Sequence, residues 1–424
     1  MRRILMVTVG GSHQPIVRSI QQNAPDFTCF LCSADSGKNK GSHAQVVGQG
    51  NVCSSRFGLE RPDLPNIVTQ TQLSPDAFEV RQVADCDHLS ECYLAAYQWI
   101  EQMHRQHPDA TILVDYTGGT KSMTAGLAAA ALDDGQCEIQ LVSGVRQDLI
   151  RVVDQTEFVR PVRVWDAQLA RRFRLARTAL DRYDYAGAVG VLEDAAARFA
   201  SPTTMGKVQR WLSLSRGFDA WDRFDHAIAQ RLLQPYRKYV VPYALVLDRI
   251  VDGKGDGFEC VEDLLQNAGR RAAQQRYDDA VGRFYRALEM TVQVWLKTRY
   301  DLETGNVDLE KVPEAHRPSL AKYADDKGIL KTPLLASWDL AAAFPDDPLG
   351  QHFHGQRNRL LNFSTVRNAS LFAHGSRPIT PGDYREHAGF VDDFIRTAIT
   401  LAAAAKNGKR RAALDQFPTE FGDE

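Results

Sequence analysis

Several things are scarce in this sequence, and each scarcity removes a class of function. No apolar run approaches the ~20 residues needed to span a bilayer. Charge of one sign is missing too: 51 Lys+Arg stand against 53 Asp+Glu, a formal net charge of −2. No global basic field therefore argues for duplex DNA or an anionic membrane, and any nucleic-acid contact has to be local. Both common nucleotide fingerprints are absent: Thr120 intervenes between Gly119 and Lys121, which spoils a Walker A loop, and Gly10-Gly11-Ser12 does not continue into G-x-G-x-x-G. Cysteines number seven, an odd and scattered set that fits a reducing cytosol rather than a disulfide framework. Cys29 and Cys32 make a CxxC, but it sits in FTCFLCS, which reads as a buried strand, and no second ligand pair follows at zinc spacing. The opening MRRILMVTVGG holds one strand's worth of apolar residues before Gly10-Gly11 and no cleavage site, so it reads as a strand and not a signal peptide.

What is present is a soluble globular composition, 44% hydrophobic and 25% charged, over 424 residues. That length implies two or three domains. Residues 1–160 alternate β-rich runs with helical stretches. Strands are expected at Ile4–Val9, Phe27–Cys32, Asn66–Thr71, Thr111–Asp115 and Glu138–Val142, and helices at Asp87–His104 and Lys121–Leu132. This alternation predicts an α/β domain with a parallel sheet. The Gly10–Gln14 turn, the polar loop Ser33–Ser42 (SADSGKNKGS) and the Tyr116–Lys121 turn all follow strands. They converge on the rim where open parallel sheets bind ligands.

After Trp165 the pattern becomes all-α. Apolar spacing predicts helices at Ala167–Leu180, Tyr185–Phe199, Lys207–Leu233, Val241–Ile250, Asp278–Thr298, Leu360–Phe372 and Tyr384–Ala405. The stretch Asp252–Gly257 is the clearest internal break. A helical connector over 165–270, a helical domain over 275–405 and a charged tail over 406–424 complete the expected organisation.

The segment TILVDYTGGTKSMTAGLA (Thr111–Ala128) delivers a strand to a turn of small and hydroxyl residues and then starts a helix. Amide groups at a helix N-terminus, with the helix dipole, form an anion site. Gly118 and Gly119 allow close backbone approach, Thr117, Thr120 and Ser122 offer hydroxyls, and Lys121 offers charge. The plain alternative is an ordinary strand-to-helix connection capped by Thr117 or Thr120.

Near the C-terminus, VRNASLFAHG (Val366–Gly375) spaces Arg367 and His374 seven residues apart. On a continuous helix that places both on one face, about 10 Å apart along the axis. A permanent cation whose fork fits phosphate and an imidazole that titrates near neutrality suit metal-free RNA cleavage, with Asn368 orienting either partner. RNA supplies its own nucleophile, the 2′-hydroxyl, so a 2′,3′-cyclic phosphate product and no action on DNA are expected. The plain alternative is again available: Gly375 and Pro378 make an ordinary helix stop, with His374 favourable to its dipole.

Taken together, VTVGGSHQPI (Val7–Ile16), DYTGGTKSM (Asp115–Met123), RYDDAVGRFYRALE (Arg276–Glu289) and RNASLFAH (Arg367–His374) resemble the CARF–HEPN ribonucleases of type III CRISPR systems, across essentially the whole chain. The resemblance implies a Rossmann-like CARF domain that binds cyclic oligoadenylate through Gly10, Gly11, Ser12, Gln14, Thr117, Gly118, Gly119, Thr120 and Lys121. It implies a C-terminal HEPN domain in which Arg367, Asn368 and His374 cut single-stranded RNA without a metal, no metal or other cofactor being expected. It also implies a cytoplasmic homodimer with no membrane or DNA partner, Ser33–Ser42 as a cover over the ligand, a connector that relays strain, and Arg286 and Glu289 beside the RNase pocket. Slow cleavage of the activator by the hydroxyls of Thr117, Thr120 and Ser122 stays open. Two other readings stand beside this one: a ligand-binding regulator whose helices only dimerise or dock a partner, and a metabolic nucleotide enzyme. The second is weakened by the missing fingerprints and by the lone His13, read as a solvated turn residue.

Overall fold

Buried β-branched and aliphatic runs at the start of the chain assemble into one sheet, seen here in a computed structural model. It describes residues 2–37, 40–55, 61–144, 156–162, 164–198, 202–406 and 413–422. The chain divides into two compact units, Met1–Ala170 and Arg171–Glu424.

In the first unit, β1 (Arg3–Thr8), β2 (Phe27–Ser33), β3 (Phe78–Val83), β4 (Thr111–Asp115), β5 (Glu138–Ser143) and β6 (Phe158–Pro161) form a six-stranded sheet. Its order is β3-β2-β1-β4-β5-β6. All neighbours are parallel except β6, which runs antiparallel to β5. The central strands are nearly continuous apolar runs because helices cover both faces of the sheet. On one side Trp99, Ile100 and Leu127 pack against Ile4, Met6 and Val114; on the other Ile16 and Ile20 pack against Leu5, Val7 and Leu113. The CxxC cysteines lie inside β2, and burial pushes both thiols up, Cys32 to about 12, so they stay protonated. The expectation of a strand at Asn66–Thr71 is overturned. Asn66 accepts from the Thr69 amide at 2.8 Å, and the N-cap it forms starts a short helix, Ile67–Thr71. The third parallel strand is instead β3, whose mixed sequence FEVRQV hides its periodicity.

The second unit is helical, with two apolar cores. One gathers the helices Trp165–Leu180, Tyr185–Arg198, Met205–Asp222, His226–Leu233 and Val241–Asp252. The single helix expected at Lys207–Leu233 is broken at Phe224, whose φ of 63° is left-handed, after which Asp225 caps a new helix. The other core is built from Glu259–Ala273, Tyr277–Tyr300, Leu334–Ala342, Pro348–His354, Arg357–Asn368 and Pro381–Ala405. The expected stripe on Tyr277–Tyr300 lies inside it: Val281, Phe284, Leu288, Thr291, Val292 and Trp295 are all buried. Glu259–Ala273 lies between the two cores: Val261, Leu264, Leu265 and Ala268 are buried in the C-terminal core, while Asp263 accepts from Trp221 Nε1 at 2.8 Å and Arg270 pairs with Asp222 at 2.7 Å on the connector side. The two apolar cores part at the Gly-rich break. Within the charged tail, Leu414, Phe417 and Phe421 are buried in the connector core, and Phe417 lies under the Arg270 guanidinium at 3.7 Å. The basic run beyond Lys406 lies outside the described residues.

Candidate functional site

The candidate site residues read from the sequence lie in two places, one in each unit. In the first unit the sheet order reverses between β1 and β4, with Val7 opposite Asp115. The helices that follow these strands, Gln14–Asn23 and Lys121–Asp134, cover opposite faces of the sheet, and such a switch point is the place where open parallel sheets take ligands. Gly10–Gln14 and Thr117–Lys121 are the two turns at this point. The third loop joins the same rim: Gln45, just after Ser33–Ser42, donates to the Gly10 carbonyl at 2.8 Å. Reciprocal bonds of 2.9 Å between the Ser33 and Ser42 amides and hydroxyls close the loop at its base. Lys38 and Asn39 lie outside the described residues.

The glycines of the rim have a packing duty. A Cβ on Gly10 would meet the Gly119 nitrogen at 2.6 Å, and one on Gly118 would meet the Thr8 carbonyl oxygen at 2.3 Å. These residues let the two turns pack backbone on backbone, whereas Gly11 faces open space. The hydroxyls are also committed internally. Thr117 donates to buried Asp115 at 2.5 Å and accepts from the Val142 amide at 2.7 Å. Thr120 donates to the Cys86 carbonyl and caps the following helix by accepting from Met123 at 3.3 Å. Ser122 donates to the Asp87 carbonyl at 2.7 Å. Each of the three hydroxyls considered for slow activator cleavage thus also makes a hydrogen bond within the unit. Gln14 reaches the Ser54 carbonyl at 3.3 Å and is half-buried, while Gly11, Ser12 and Lys121 are exposed. His13 is not solvated: it is 4% exposed, and burial lowers its pKa against the opposing pull of Asp63.

In the second unit, Arg367 stands in the last turn of Arg357–Asn368, and the helix stops there. His374 is thus not on the same helical face two turns along, as the spacing suggested. Instead the chain folds back: the His374 amide donates to the Asn368 carbonyl at 3.3 Å, and Arg377 to the Ala369 carbonyl at 3.1 Å. A Cβ on Gly375 would strike the Ala369 carbonyl oxygen, so this turn requires glycine. The fold-back holds the exposed His374 against the turn that bears Arg367. The Arg367 guanidinium lies 4.1 Å from the centre of the Tyr285 ring and donates to Asn368 Oδ1 at 3.2 Å. Tyr285 gave no signal of this in the sequence, where its neighbour Arg286 was singled out. Arg286 bonds to Glu289 at 3.3 Å and to Gln293 at 3.1 Å along its own helix. Leu371 and Phe372, 70% and 56% exposed, stand within the turn itself.

Residues 252–398, which contain Arg367, Asn368 and His374, match the family model of the Csm6 HEPN domain. The resemblance read from the four motifs is borne out: this match lies in the C-terminal helical region, and the order of a parallel-sheet unit before a helical unit is shared in fold with a solved Csm6. Among solved structures, the chain is similar to Csm6 of Enterococcus italicus bound to cyclic hexa-2′-fluoro-hexa-dAMP. That likeness has 11% sequence identity and a TM-score of 0.56, and spans 96% of this chain and 95% of that one, a likeness of fold. No curated protein matches the sequence. No helix among the described residues is long and apolar enough to cross a membrane.

Proposed function

We propose that this protein is a cyclic-oligoadenylate-activated endoribonuclease of type III CRISPR defence that cuts single-stranded RNA without a metal ion. It works as a cytoplasmic homodimer. The observation that carries the reading is the clustering of Arg367, Asn368 and His374 by the fold-back turn, inside the segment matched to the Csm6 HEPN domain. Arg367 neutralises charge on the non-bridging phosphate oxygens as the 2′-hydroxyl attacks the adjacent phosphorus. His374 moves a proton to or from the reacting oxygens. The bond to the 5′-oxygen breaks, leaving a 2′,3′-cyclic phosphate and a 5′-hydroxyl. Activator binding is assigned to the β1–β4 switch point, through Gly10, Gly11, Ser12, Gln14 and Thr117–Lys121. Support comes from the switch-point position, the exposed Lys121 at a helix N-terminus and the cyclic adenylate analogue held by the solved relative.

A second reading, favoured by the exposed Leu371 and Phe372, makes the helical unit a dimerisation or docking platform without catalysis. One experiment separates the two: a fluorogenic single-stranded RNA assay with cyclic tri-, tetra- and hexa-adenylate in EDTA, on wild type, Arg367→Ala and His374→Ala. Cleavage that depends on one ring size, resists chelation and vanishes in both variants is the expected result. Activator binding without RNA turnover at any ring size selects the docking platform.

A further inference from the structure

The helix that starts at the phosphate-facing turn, Lys121–Asp134, ends beside the last turn of Leu89–Gln106 and the start of β5. Here His104, Asp134 and Cys137 bring one nitrogen, one carboxylate oxygen and one sulfur within 4.8 Å of one another. His104 Nε2 lies 3.1 Å from Asp134 Oδ1. It is nevertheless shielded from solvent and makes no well-directed hydrogen bond. A buried ring nitrogen left without a hydrogen bond, with a carboxylate oxygen and a sulfur both within 4.8 Å, is free to act as a ligand. The chain is shaped for the third ligand. Gly135, at φ 72°, caps the helix and turns the backbone. Asp134 Oδ2 accepts from the Gln136 and Cys137 amides at 2.8 and 3.1 Å, which fixes the D-x-x-C knuckle and leaves Oδ1 facing His104. The surroundings are acidic: Glu101, Asp133 and Asp134 together raise the pKa of the Tyr97 hydroxyl, and Arg105 is turned to Glu101 at 3.8 Å.

We propose that His104, Asp134 and Cys137 bind one zinc-like divalent cation, with water as the fourth ligand. A nitrogen, oxygen and sulfur set suits zinc and disfavours calcium and magnesium, which take oxygen alone. Metal–ligand bonds of about 2.0–2.3 Å put tetrahedral ligand atoms roughly 3.3–3.6 Å apart, against the present separations of up to 4.8 Å. Binding replaces the Cys137 thiol proton, which passes to solvent, so affinity rises with pH. The site belongs to the first unit, ties two helix ends together and takes no part in the chemistry assigned to Arg367 and His374.

The test uses the full chain without a polyhistidine tag, stripped with chelator and titrated with Co²⁺ and then Zn²⁺. One Co²⁺ per chain is expected, with a thiolate-to-cobalt charge-transfer band and tetrahedral visible bands that Zn²⁺ abolishes. Cys137→Ser removes the charge-transfer band. His104→Gln weakens Zn²⁺ binding by more than the roughly 10–100-fold lost with a supporting outer-shell group. Zn²⁺ raises the thermal midpoint of wild type and not of Cys137→Ser, whose fold is checked by circular dichroism. A cobalt spectrum without the thiolate band, or Cys137→Ser binding as tightly as wild type, overturns the site. RNA cleavage in EDTA reports separately on the nuclease.

Discussion

The guanidinium of Arg367 rests 4.1 Å from the centre of the Tyr285 ring, joining the last turn of Arg357–Asn368 to the middle of Tyr277–Tyr300. Arg367 Nε is shielded from solvent with no hydrogen-bond partner, so the ring face is what holds that edge of the fork. The other edge is turned to Asn368. An arginine held this way presents its remaining donors in a set direction, which the proposed phosphate contact requires.

Replacing the ring tests that direction. Tyr285→Leu should lower single-turnover RNA cleavage by roughly 2–30-fold, the equivalent of the ~0.5–2 kcal/mol of a cation–π contact. Tyr285→Phe, which keeps the ring face, should stay near wild type, and activator binding should be unchanged in both. Equal losses in the two variants would show that the hydroxyl, not the ring, matters.

The rim glycines separate packing from ligand contact. Gly10→Ala forces a Cβ against the backbone of Gly119 and should cost about 1–3 kcal/mol in thermal stability, with weaker activator binding. At Gly11 a methyl group meets open space, so Gly11→Ala should leave stability within about 0.5 kcal/mol. Calorimetry on both proteins makes the comparison. A stable Gly10→Ala protein would mean the two turns do not pack as described.

His13 predicts an acid-side effect. Burial lowers its folded-state pKa below the ordinary value of 6.5. The unfolded chain therefore takes up a proton first as pH falls, and stability present above about pH 6.5 is lost on acidification through that value toward the folded pKa. His13→Gln should flatten this part of the stability–pH curve, read from denaturation midpoints at pH 7.5 and 5.5. An unchanged slope would place the acid sensitivity elsewhere.

The tail gives a prediction that its composition does not suggest. Phe417 packs 4.9 Å from the Trp221 ring and 5.1 Å from Phe218, under Arg270. Phe417→Ala should cost about 3–5 kcal/mol, the usual range for emptying a buried aromatic site. Denaturant unfolding of the intact chain measures it; a loss below about 1 kcal/mol would mean the tail is only loosely docked.

Much of the fold was legible because its signals are local. Thr111–Asp115 was read with its bounds intact, since a β-rich run ends there in a Gly-Thr turn. The break at Asp252–Gly257 showed in the glycines, and it is where the two helical cores part. Local signals also misled. The β-branched residues of Ile67–Thr71 favour a strand, but the Asn66 cap and the small two-stranded ribbon beside it decide for helix. Lys207–Leu233 keeps helical spacing through Phe224, where a left-handed residue breaks it.

The candidate sites divide the same way. The sequence by itself determined which residue types are at hand: the glycine–threonine turn after a strand, and an arginine and a histidine seven positions apart. These follow from covalent order and intrinsic preference. Only the tertiary structure decided that Thr117, Thr120 and Ser122 spend their hydroxyls inside the protein, that His13 is buried, that Tyr285 lies beneath Arg367, and that His374 reaches its partner by a fold-back turn rather than along a helix. Each depends on a contact between residues far apart in the chain, or on where a helix stops. Packing and hydrogen-bond competition settle those, and no window of sequence contains them.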